Sequence, residues 1–527
     1  MRVHKRSARE PGDPVFAPGG WPPRPQRENR EEISMTNGHG KSDRPIVPEK
    51  PSNKAVGAPA AAERVEGRGL AKGNPRQLPR SRTQSRGTLK RLLWRVRQVA
   101  EKRKGERFTT LWHHITNPDR LHEVYFTLNR ASAPGIDRVS WKQYGEHLWE
   151  NLTELAGRLM RGAYRPLPVE RVYIPKRDGR LRPIGKPALE DKIVQRTFTE
   201  VVGEIYEAEF LGFSYGCRPG RSQHNALDAL AVALDKKRVN WVLDADIRGF
   251  FDAIDHEWML RFLQHRIADR RVLRQVRQWL KAGVLEQGEI SVPETGTPQG
   301  GSVSPLLANI YLHYAFDLWA HRWRRQNARG DVIIVRYVDD FVVGFQHRHD
   351  AERFLAELKE RLRKFSLELH ADKTRLLEFG RFATERRQRR GEGKPETFNF
   401  LGFTHICGTD RRGWFIVRRH TIRQRLAAKL REIKIELKRR RHDKTDEVRR
   451  WLSAVLRGYF NYYGVPRNGR ALSVFYREVL WHWWRALKRR SQRFRLPWKK
   501  FCRAAGKRLP QPRITHPHPD QRLRVPT

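Results

Sequence analysis

The segment DVIIVRYVDDFVVGF (331–345) sets two adjacent carboxylates, Asp339 and Asp340, between two runs of β-branched and aromatic residues. Such runs favour strands, so the pattern predicts a β-hairpin with both carboxylates at its turn. Burying two neighbouring acids is costly unless a cation compensates their charge. The segment therefore indicates either a cation site on a hairpin or an ordinary acidic turn at the protein surface.

A second acidic segment, WVLDADIRGFFD (241–252), is an apolar strand that runs into Asp244 and Asp246 and then into two aromatic residues. Nucleotidyl transfer uses two Mg²⁺ ions about 4 Å apart, which clamp the attacking 3′ oxygen and the triphosphate. Carboxylates from two neighbouring strands can hold such ions. Asp244 and Asp246 share one face of a strand, so spacing alone does not choose between them.

Between these two segments lies GTPQGGSVSPLLAN (296–309), a glycine-rich turn that opens a helix, with the amide side chain of Gln299 at its start. The glycines would let the backbone and the amide approach a base and a sugar closely. An ordinary strand-to-helix turn would have the same composition.

The charge of the chain points to an anionic partner. Its 527 residues carry a formal net charge of +49, from 107 Lys and Arg against 58 Asp and Glu. Such an excess repels itself until it is neutralised, and a nucleic-acid backbone does this through counterion release. Charge alone would also fit a ribosomal-type protein or a solvated basic surface.

Cysteine usage and hydropathy exclude other classes of protein. The three cysteines lie far apart in sequence, so they form neither a disulfide framework nor a paired-cysteine zinc module. No apolar run approaches the roughly 18 residues that span a bilayer. We therefore expect an intracellular protein with no membrane partner.

Composition and periodicity divide the chain. Residues 1–86 are rich in Pro, Gly and Arg without a hydrophobic period, which predicts a disordered basic leader, and Met35 is an equally plausible start. The stretch 89–104 predicts a basic amphipathic helix. Helical and strand patterns then alternate to about Gly413. Three successive helices are predicted beyond that point, the first from apolar residues at helical spacing and the others at 448–463 and 475–490.

Seven ordered blocks, with a short eighth behind them, make the chain resemble group II intron reverse transcriptases from about Arg86 to its C terminus. They are ASAPGIDRVSW (131–141), YIPKRDGRLRPIGKPALEDKIVQ (173–195), FSYGCRPGRSQHNAL (213–227), VLDADIRGFFDAIDH (242–256), GTPQGGSVSPLLANIYL (296–312), RYVDDFVV (336–343), LELHADKTRLLEFG (367–380) and FNFLGF (398–403). The resemblance implies an α+β right-hand polymerase. Its N-terminal extension and fingers would occupy 87–240, its palm 241–413, its helical thumb or maturase domain X 414–490, and a basic nucleic-acid-binding tail 491–527.

The resemblance also implies roles for individual residues. Asp246, Asp339 and Asp340 would be catalytic and, with Ile247, would hold two Mg²⁺ ions, which leaves Asp244 a structural role. Five further residues would contact the incoming nucleotide: Lys176, Arg182, Phe251, Gln299 and Lys373.

Each of these five has its own expected task. Lys176 and Arg182 would hold the triphosphate, unless they are solvated hairpin charges. Phe251 would pack under the sugar and exclude a 2′-hydroxyl, or would belong to the core. Gln299 would contact the nucleotide, and Lys373 is a candidate general acid for pyrophosphate or else a helix-end lysine.

Three positions depart from the family pattern. Val338 replaces the usual alanine of the acidic turn, Lys186 stands where an isoleucine is usual, and Gly301-Ser302-Val303 replaces a more apolar turn. None of these changes touches an expected metal ligand.

The thumb and tail carry the expected RNA contacts. LRGYFNYYGVPRN (456–468) interleaves aromatic and basic residues, which suits RNA, and predicts RNA binding by Arg457, Tyr459, Tyr462 and Arg467. Alternatively, most of these aromatic residues form a helix-bundle core and only the cations face RNA. Residues after Trp498 lack the paired Cys and His ligands of the family's endonuclease domain, so second-strand DNA cleavage is not expected.

The sequence thus predicts an RNA-directed DNA polymerase that copies its intron RNA and, as a maturase, binds that RNA during splicing and mobility. Its partners would be intron RNA in a ribonucleoprotein, target DNA and deoxynucleoside triphosphates, in a bacterial cytoplasm and at the nucleoid. An RNA-dependent RNA polymerase would favour Gly-Asp-Asp and would lack Phe251. A non-catalytic splicing factor would lose the three acids first. A domesticated, intron-free enzyme, for example in phage defence, remains open.

Overall fold

From residue 80, where the described residues begin, the chain is helical before the first described strands appear. The computed structural model describes residues 80–175, 181–297, 300–490 and 495–522, all within Gly40–Thr527, one of the two units into which the chain divides. Most of the predicted disordered leader, 1–79, therefore lies outside the described residues. The first helix begins at Arg80, earlier than the start near Leu89 that the sequence predicts. The elements up to residue 236 are α1 (Arg80–Lys102), α2 (Trp112–Ile115), α3 (Pro118–Thr127), α4 (Trp141–Tyr144), α5 (Leu148–Arg161), β1 (Val169–Pro175), β2 (Leu181–Lys186), α6 (Leu189–Glu207) and α7 (Gln223–Lys236).

Local chemistry sets several of these boundaries. Ser140 and Gln143 form a capping box at the start of α4, and Ser222 with Asn225 does the same for α7. Helix α5 ends where Gly162 takes a left-handed conformation with φ +72°.

The middle of the chain alternates strands and helices, as the sequence predicts. Its elements are β3 (Trp241–Asp246), α8 (Phe250–Ala253), α9 (His256–Gln264), α10 (Arg270–Leu280), β4 (Val284–Glu286), β5 (Glu289–Ser291), α11 (Ser304–Leu312), a π-helical turn (His313–Asp317), α12 (Leu318–Gln326), β6 (Val332–Tyr337), β7 (Asp340–Phe345), α13 (Arg348–Arg363) and β8 (Arg375–Glu378). The predicted hairpin is β6–β7, and the predicted helix after the glycine-rich turn is α11.

The last part begins with a small sheet and continues with helices. Its elements are α14 (Ala383–Arg389), β9 (Phe398–Phe400), β10 (Phe403–Thr409), β11 (Phe415–Thr421), α15 (Arg423–Arg439), a 3₁₀ turn (Arg440–His442), α16 (Thr445–Tyr463), α17 (Gly469–Lys488), α18 (Trp498–Gly506) and α19 (Pro519–Arg522). Helices α15 to α17 confirm the three predicted helices.

Three sheets organise the described residues. The finger sheet has the order β2-β1-β4-β5, the palm sheet β6-β7-β3-β8, and the third sheet β11-β10-β9. Strands β1 and β4 are parallel, and the other neighbours are antiparallel. Mixed helix and sheet of this kind confirm the predicted α+β polymerase fold.

The palm sheet is covered on both faces. Successive side chains of β3 point alternately into the two cores that cover these faces. Leu243 and Ala245 point into a core made with helices such as α6, α9 and α11. Val242 points into a second core, made with α7 and the helices α15 to α18. Because side chains alternate along a strand, Asp244 and Asp246 lie on the second face, toward the helical C-terminal part.

The described part of the tail, 495–522, is packed onto the protein. Phe501, Ala505 and Leu509 are buried in the second core. The backbone N–H groups of Thr515 and His516 both donate to the carbonyl of Gly464, at 2.8 and 3.0 Å. Over this range the predicted basic tail therefore packs against the second core, because this buries its apolar residues.

Candidate active site

The two acidic segments meet in the palm sheet. Strand β3 pairs with β7 in a register that sets Asp246 directly opposite Asp340 and Asp244 opposite Val342. Opposite residues of an antiparallel pair point to the same face of the sheet, so Asp244, Asp246 and Asp340 share one face. Asp339 follows Val338 in the two-residue connection between β6 and β7. The predicted carboxylates are thus brought together at one end of the sheet.

The connection has an unusual backbone. Val338 adopts φ +59°, a region that β-branched residues rarely occupy. Its side chain is buried, and a methyl group added at Gly216 would come within 2.5 Å of the Val338 Cγ2 atom. Close packing against a residue without a side chain therefore holds the strained turn that carries Asp339.

A buried arginine supports the same turn. Arg336 is fully buried, and its guanidinium forms a bidentate pair with Asp317 and donates to Asn309 Oδ1 at 3.0 Å. It also donates to Ser214 Oγ at 2.7 Å and to the carbonyl of Val338 at 2.9 Å. The sequence motifs give Arg336 no role. The signal that could have found it is a charge inside the apolar strand VIIVRY, because a buried charge requires partners.

Burial and the charges of neighbouring acids raise the pKa values of Asp339 and Asp340. Desolvation, followed by the charges of Asp339, Asp246 and Asp244, raises the pKa of Asp340 to about 7. Burial raises the pKa of Asp339, while the charges of Arg182 and Arg336 oppose that rise. The cluster thus holds more negative charge than nearby cations balance, which suits a divalent ion.

Two cations reach the acids of β3. The ammonium group of Lys373 contacts the Asp246 carboxylate, and half of the Lys373 side chain is exposed. The Arg375 guanidinium lies 3.7 Å from Asp244. Burial raises the pKa of Asp244 to about 6, and Arg375 opposes this rise. The structure therefore joins Lys373 to Asp246, and gives Asp244 a different partner.

Phe251 lies beside the glycine-rich turn. Helix α8 starts after Gly249, which has φ +52°, and it buries Phe250 while leaving Phe251 half-buried. The carbonyl of Phe251 accepts a hydrogen bond from the Thr297 backbone at 2.8 Å. Gly296 packs so closely that a methyl group there would lie 3.0 Å from the Phe251 carbonyl oxygen. Phe251 is thus only partly buried, and it packs between the core and this turn.

The fingers approach the same site. Arg182 on β2 is exposed, and its charge acts on Asp339. A methyl group at Gly300 would come within 2.3 Å of the Gly185 carbonyl oxygen, so the glycine-rich turn packs directly on β2. Lys176 and Gln299 lie outside the described residues.

Lys186, at one of the three positions that depart from the expected sequence pattern, forms an ion pair within the finger sheet. Lys186 is the cross-strand neighbour of Glu170, and its ammonium group lies 3.1 Å from the Glu170 carboxylate. A cross-strand ion pair therefore occupies this position of the finger sheet.

The four predicted RNA-binding residues of the thumb have different surroundings. Arg457 and Arg467 are exposed, and Tyr462 is half-buried and donates to the Leu401 carbonyl at 2.8 Å. Tyr459 is buried and stacks on Phe475 with ring centroids 3.5 Å apart. Tyr459 is therefore a core residue in this structure, because its ring packs inside the helix bundle, and we do not propose that it contacts RNA.

The acids at this end of the palm sheet have the ligand chemistry that a divalent metal ion prefers. Asp246, Asp339 and Asp340 carry hard carboxylate oxygens, and Ile247, whose side chain is buried, could contribute only its main-chain oxygen. In the part of the chain that the structure describes, no three His, Cys, Asp or Glu side chains are grouped so that they could hold a metal ion without rearrangement. Among the same residues, no helix has the length and apolar content needed to cross a bilayer.

Comparison with known proteins places this site in a family. The family model for "Reverse transcriptase (RNA-dependent DNA polymerase)" matches residues 174–405, which contain both acidic strands. Protein YkfC of Escherichia coli (strain K12) is 35% identical over 269 residues, 45% of this chain and 70% of YkfC. Group II intron-encoded protein LtrA of Lactococcus lactis subsp. cremoris is 35% identical over 226 residues, 42% of this chain and 37% of LtrA. An uncharacterized 91 kDa protein in the cob intron of Schizosaccharomyces pombe is 40% identical over 146 residues, 28% of this chain and 18% of that protein.

The fold, the acidic sheet edge and these matches agree on the class of protein: the chain belongs to the reverse transcriptase family. Within that family its relatives include a group II intron-encoded protein, as the sequence blocks predict, and a protein in the cob intron. The chain matches less than two thirds of the length of LtrA and of the cob intron protein.

Proposed function

We propose that this protein is an RNA-directed DNA polymerase that copies group II intron RNA and, as a maturase, binds that RNA to assist splicing and mobility. One observation carries the catalytic part. The register of β3 and β7 sets Asp246 opposite Asp340, with Asp339 on the adjoining turn, and this supports a site in which three carboxylates would hold the two metal ions used in nucleotidyl transfer.

In this proposal the acids form the metal-binding edge of the palm. Asp246, Asp339 and Asp340, with the main-chain oxygen of Ile247, would hold two Mg²⁺ ions. When bound, these ions would activate the 3′-hydroxyl of the primer and neutralise the charge of the triphosphate. Lys373 contacts Asp246 in this structure and would be placed to protonate the departing pyrophosphate.

The remaining residues would position the deoxynucleoside triphosphate. Arg182 would hold its phosphates, because a guanidinium fork suits phosphate oxygens, and Lys176 would act beside it. Phe251 would pack against the sugar and exclude a 2′-hydroxyl. Gln299 would contact the nucleotide from the glycine-rich turn.

RNA binding is assigned to the thumb. Arg457 and Arg467 present their charges on the surface, and Tyr462 keeps part of its ring accessible. We propose that these residues contact intron RNA in a ribonucleoprotein, and that target DNA and nucleotides are the other partners. In a bacterial cell this work would take place in the cytoplasm and at the nucleoid.

The test is primer extension on an RNA template. Asp246→Asn should reduce extension by several orders of magnitude, while RNA affinity stays near that of the wild type. Asp244→Asn is the matched control, because Asp244 lies on the same strand face but opposite Val342 rather than Asp340. It should retain extension within about tenfold, a loss of about 1.4 kcal/mol. Asp246→Asn activity within tenfold of wild type would contradict the assignment.

A further inference from the structure

Two exposed aromatic side chains, Phe382 and Trp414, line one groove. Phe382 is 45% exposed and follows β8, and Trp414 is 69% exposed in the turn between β10 and β11. Each belongs to an arginine-rich segment. RFATERRQRR (381–390) has five arginines and one acid, and DRRGWFIVRR (410–419) has four arginines and one acid.

The groove lies at the end of the palm sheet that is remote from the acidic cluster. Glu378, the last residue of β8, pairs with Trp241, the first residue of β3, whereas Asp246 is the last residue of β3. A strand rises about 3.4 Å per residue, so the two ends of β3 are roughly 17 Å apart. The Cys407 Sγ contacts the carbonyl of Gly380 at 3.7 Å, which joins β10 to the segment that carries Phe382.

Four acids line the groove, Asp235, Glu385, Asp410 and Asp520, and two of them have partners within their own segments. Asp410 accepts hydrogen bonds from the backbone N–H groups of Arg412 and Trp414, at 2.8 and 2.9 Å, and thereby holds the turn. Glu385 forms an ion pair with Arg389 on the same helix.

Three arginines add positive charge to the lining. Arg381 and Arg412 are exposed there, and Arg467 of the thumb lines the same groove. With Lys236 and Arg419, the described lining carries five Lys or Arg residues against four Asp or Glu residues, so the groove combines flat apolar rings with a small excess of positive charge.

This combination matches the chemistry of unpaired RNA. Every base has a face that can stack on an aromatic ring, and phosphates pair with guanidinium groups. In a duplex the base faces are already stacked, so a duplex would use the arginines but not the rings. A chain with a net charge of +49 favours such an anionic occupant.

We propose that this groove is a second RNA-binding surface, separate from the polymerase cleft, which takes an unpaired segment of RNA. Bases stack on Trp414 and Phe382, and phosphates pair with Arg412 and Arg467. The proposal rests on the intron-RNA binding proposed above and adds the kind of RNA element and the place where it binds.

The test measures RNA binding while the cleft is filled. The full-length protein is first saturated with a short RNA template annealed to a DNA primer, and a labelled 12-nucleotide unpaired RNA is then titrated. Trp414→Ala combined with Phe382→Ala should weaken this second binding by about 10- to 100-fold. Trp149→Ala is the matched control, because it removes a tryptophan of similar exposure, 53%, from α5. It should bind the labelled RNA like the wild type.

A second variant tests the charges. Arg412→Gln with Arg467→Gln should reduce the dependence of log affinity on log salt by about 0.7 for each phosphate that the variant no longer neutralises. All the substituted side chains are exposed, so melting temperatures should stay unchanged.

Three results would overturn the inference. The aromatic double variant could bind within twofold of wild type, the saturated wild type could bind no second RNA, or duplex RNA of equal length could bind as tightly. Primer extension by the same wild-type sample separates the two proposals. Its absence would count against the polymerase function, whereas unchanged second-site binding in the aromatic double variant would count only against this groove.

Discussion

At the scale of single residues, burial and the charges of Asp339, Asp246 and Asp244 hold the Asp340 carboxyl away from its usual pKa. Its pKa is raised from 3.8 to about 7, so in the folded protein it stays protonated over a range where the unfolded chain is already ionised. Such a group does not change the free energy of unfolding below about pH 4. It lowers the free energy of unfolding as pH rises from about 4 to about 7, and this loss stays constant above pH 7.

Asp340→Asn should therefore stabilise the metal-free protein at pH 8. We expect a gain of about 1–2 kcal/mol in the free energy of unfolding, a figure reduced for solvent screening because Asp340 is exposed. At pH 4 the variant and the wild type should match. Urea unfolding in EDTA at both pH values measures the difference.

An acid outside the cluster provides the control for this prediction. Asp252→Asn on α8, another exposed acid, should change stability little at either pH. Added Mg²⁺ should stabilise the wild type more than Asp340→Asn. A variant no more stable than wild type at pH 8 in EDTA would contradict the proposed crowding of negative charge.

Phe251 is the residue at which sugar selection can be tested. If its ring packs against C2′, Phe251→Val should admit ribonucleotides and lower discrimination against them by at least about tenfold. Incorporation of each nucleotide set, measured as kcat/KM, is the readout. Phe250→Leu is the matched control, because Phe250 is buried in the core. It should reduce stability and leave discrimination unchanged, and equal discrimination in both variants would make Phe251 a core residue only.

At the scale of elements, the β6–β7 hairpin depends on a buried ion pair. Removing one partner of such a pair leaves an unpaired buried charge and costs about 3–5 kcal/mol, whereas replacing both by apolar residues is often neutral. Arg336→Met should thus lower the free energy of unfolding strongly, and Arg336→Met with Asp317→Leu should recover most of it.

The double variant separates stability from positioning. It lacks the donor that Arg336 gives to the Val338 carbonyl, so the turn that carries Asp339 should be less well held. We expect primer extension to remain impaired although stability is recovered. Urea unfolding and primer extension on the same samples test this, and full activity in the double variant would show that Arg336 serves stability alone.

At the scale of the whole molecule, catalysis and RNA binding are assigned to different elements. Asp339→Asn with Asp340→Asn should abolish primer extension and still bind intron RNA and promote splicing, because the RNA contacts that we propose for the thumb do not involve these carboxylates. Splicing of a cognate intron and RNA affinity are measured together. Normal intron binding without splicing would show that the two functions are not separable.

Charge reversal in the thumb should have the opposite effect. Arg457→Glu and Arg467→Glu should weaken RNA binding and lower its salt dependence by about 0.7–0.9 for each phosphate that is no longer neutralised. Lys359→Glu is the matched control, because it is an exposed charge on α13, which packs on the opposite face of the palm sheet. An equal loss of affinity in Lys359→Glu would indicate a general effect of net charge.

The sequence alone determined the kind of elements and the position of the acidic residues. Strands β3, β6 and β7 and helices α13 and α15 to α17 follow from patterns of period 2 and 3.6, which act within a few residues. The acids Asp339 and Asp340 were visible because they interrupt apolar strands. The family blocks then indicated Asp246 rather than Asp244 as the partner of that turn.

Only the tertiary structure decided which faces meet. The register that sets Asp246 opposite Asp340, the burial of Tyr459, and the docked tail each join residues that are far apart in the chain or on different elements. The tertiary structure likewise decided the hydrogen-bond partners of Arg336 and the pairing of Lys186 with Glu170. Spacing along a chain specifies which side of an element a residue occupies. What covers that side depends on how distant elements pack, because burial and ion pairing are properties of the assembled core.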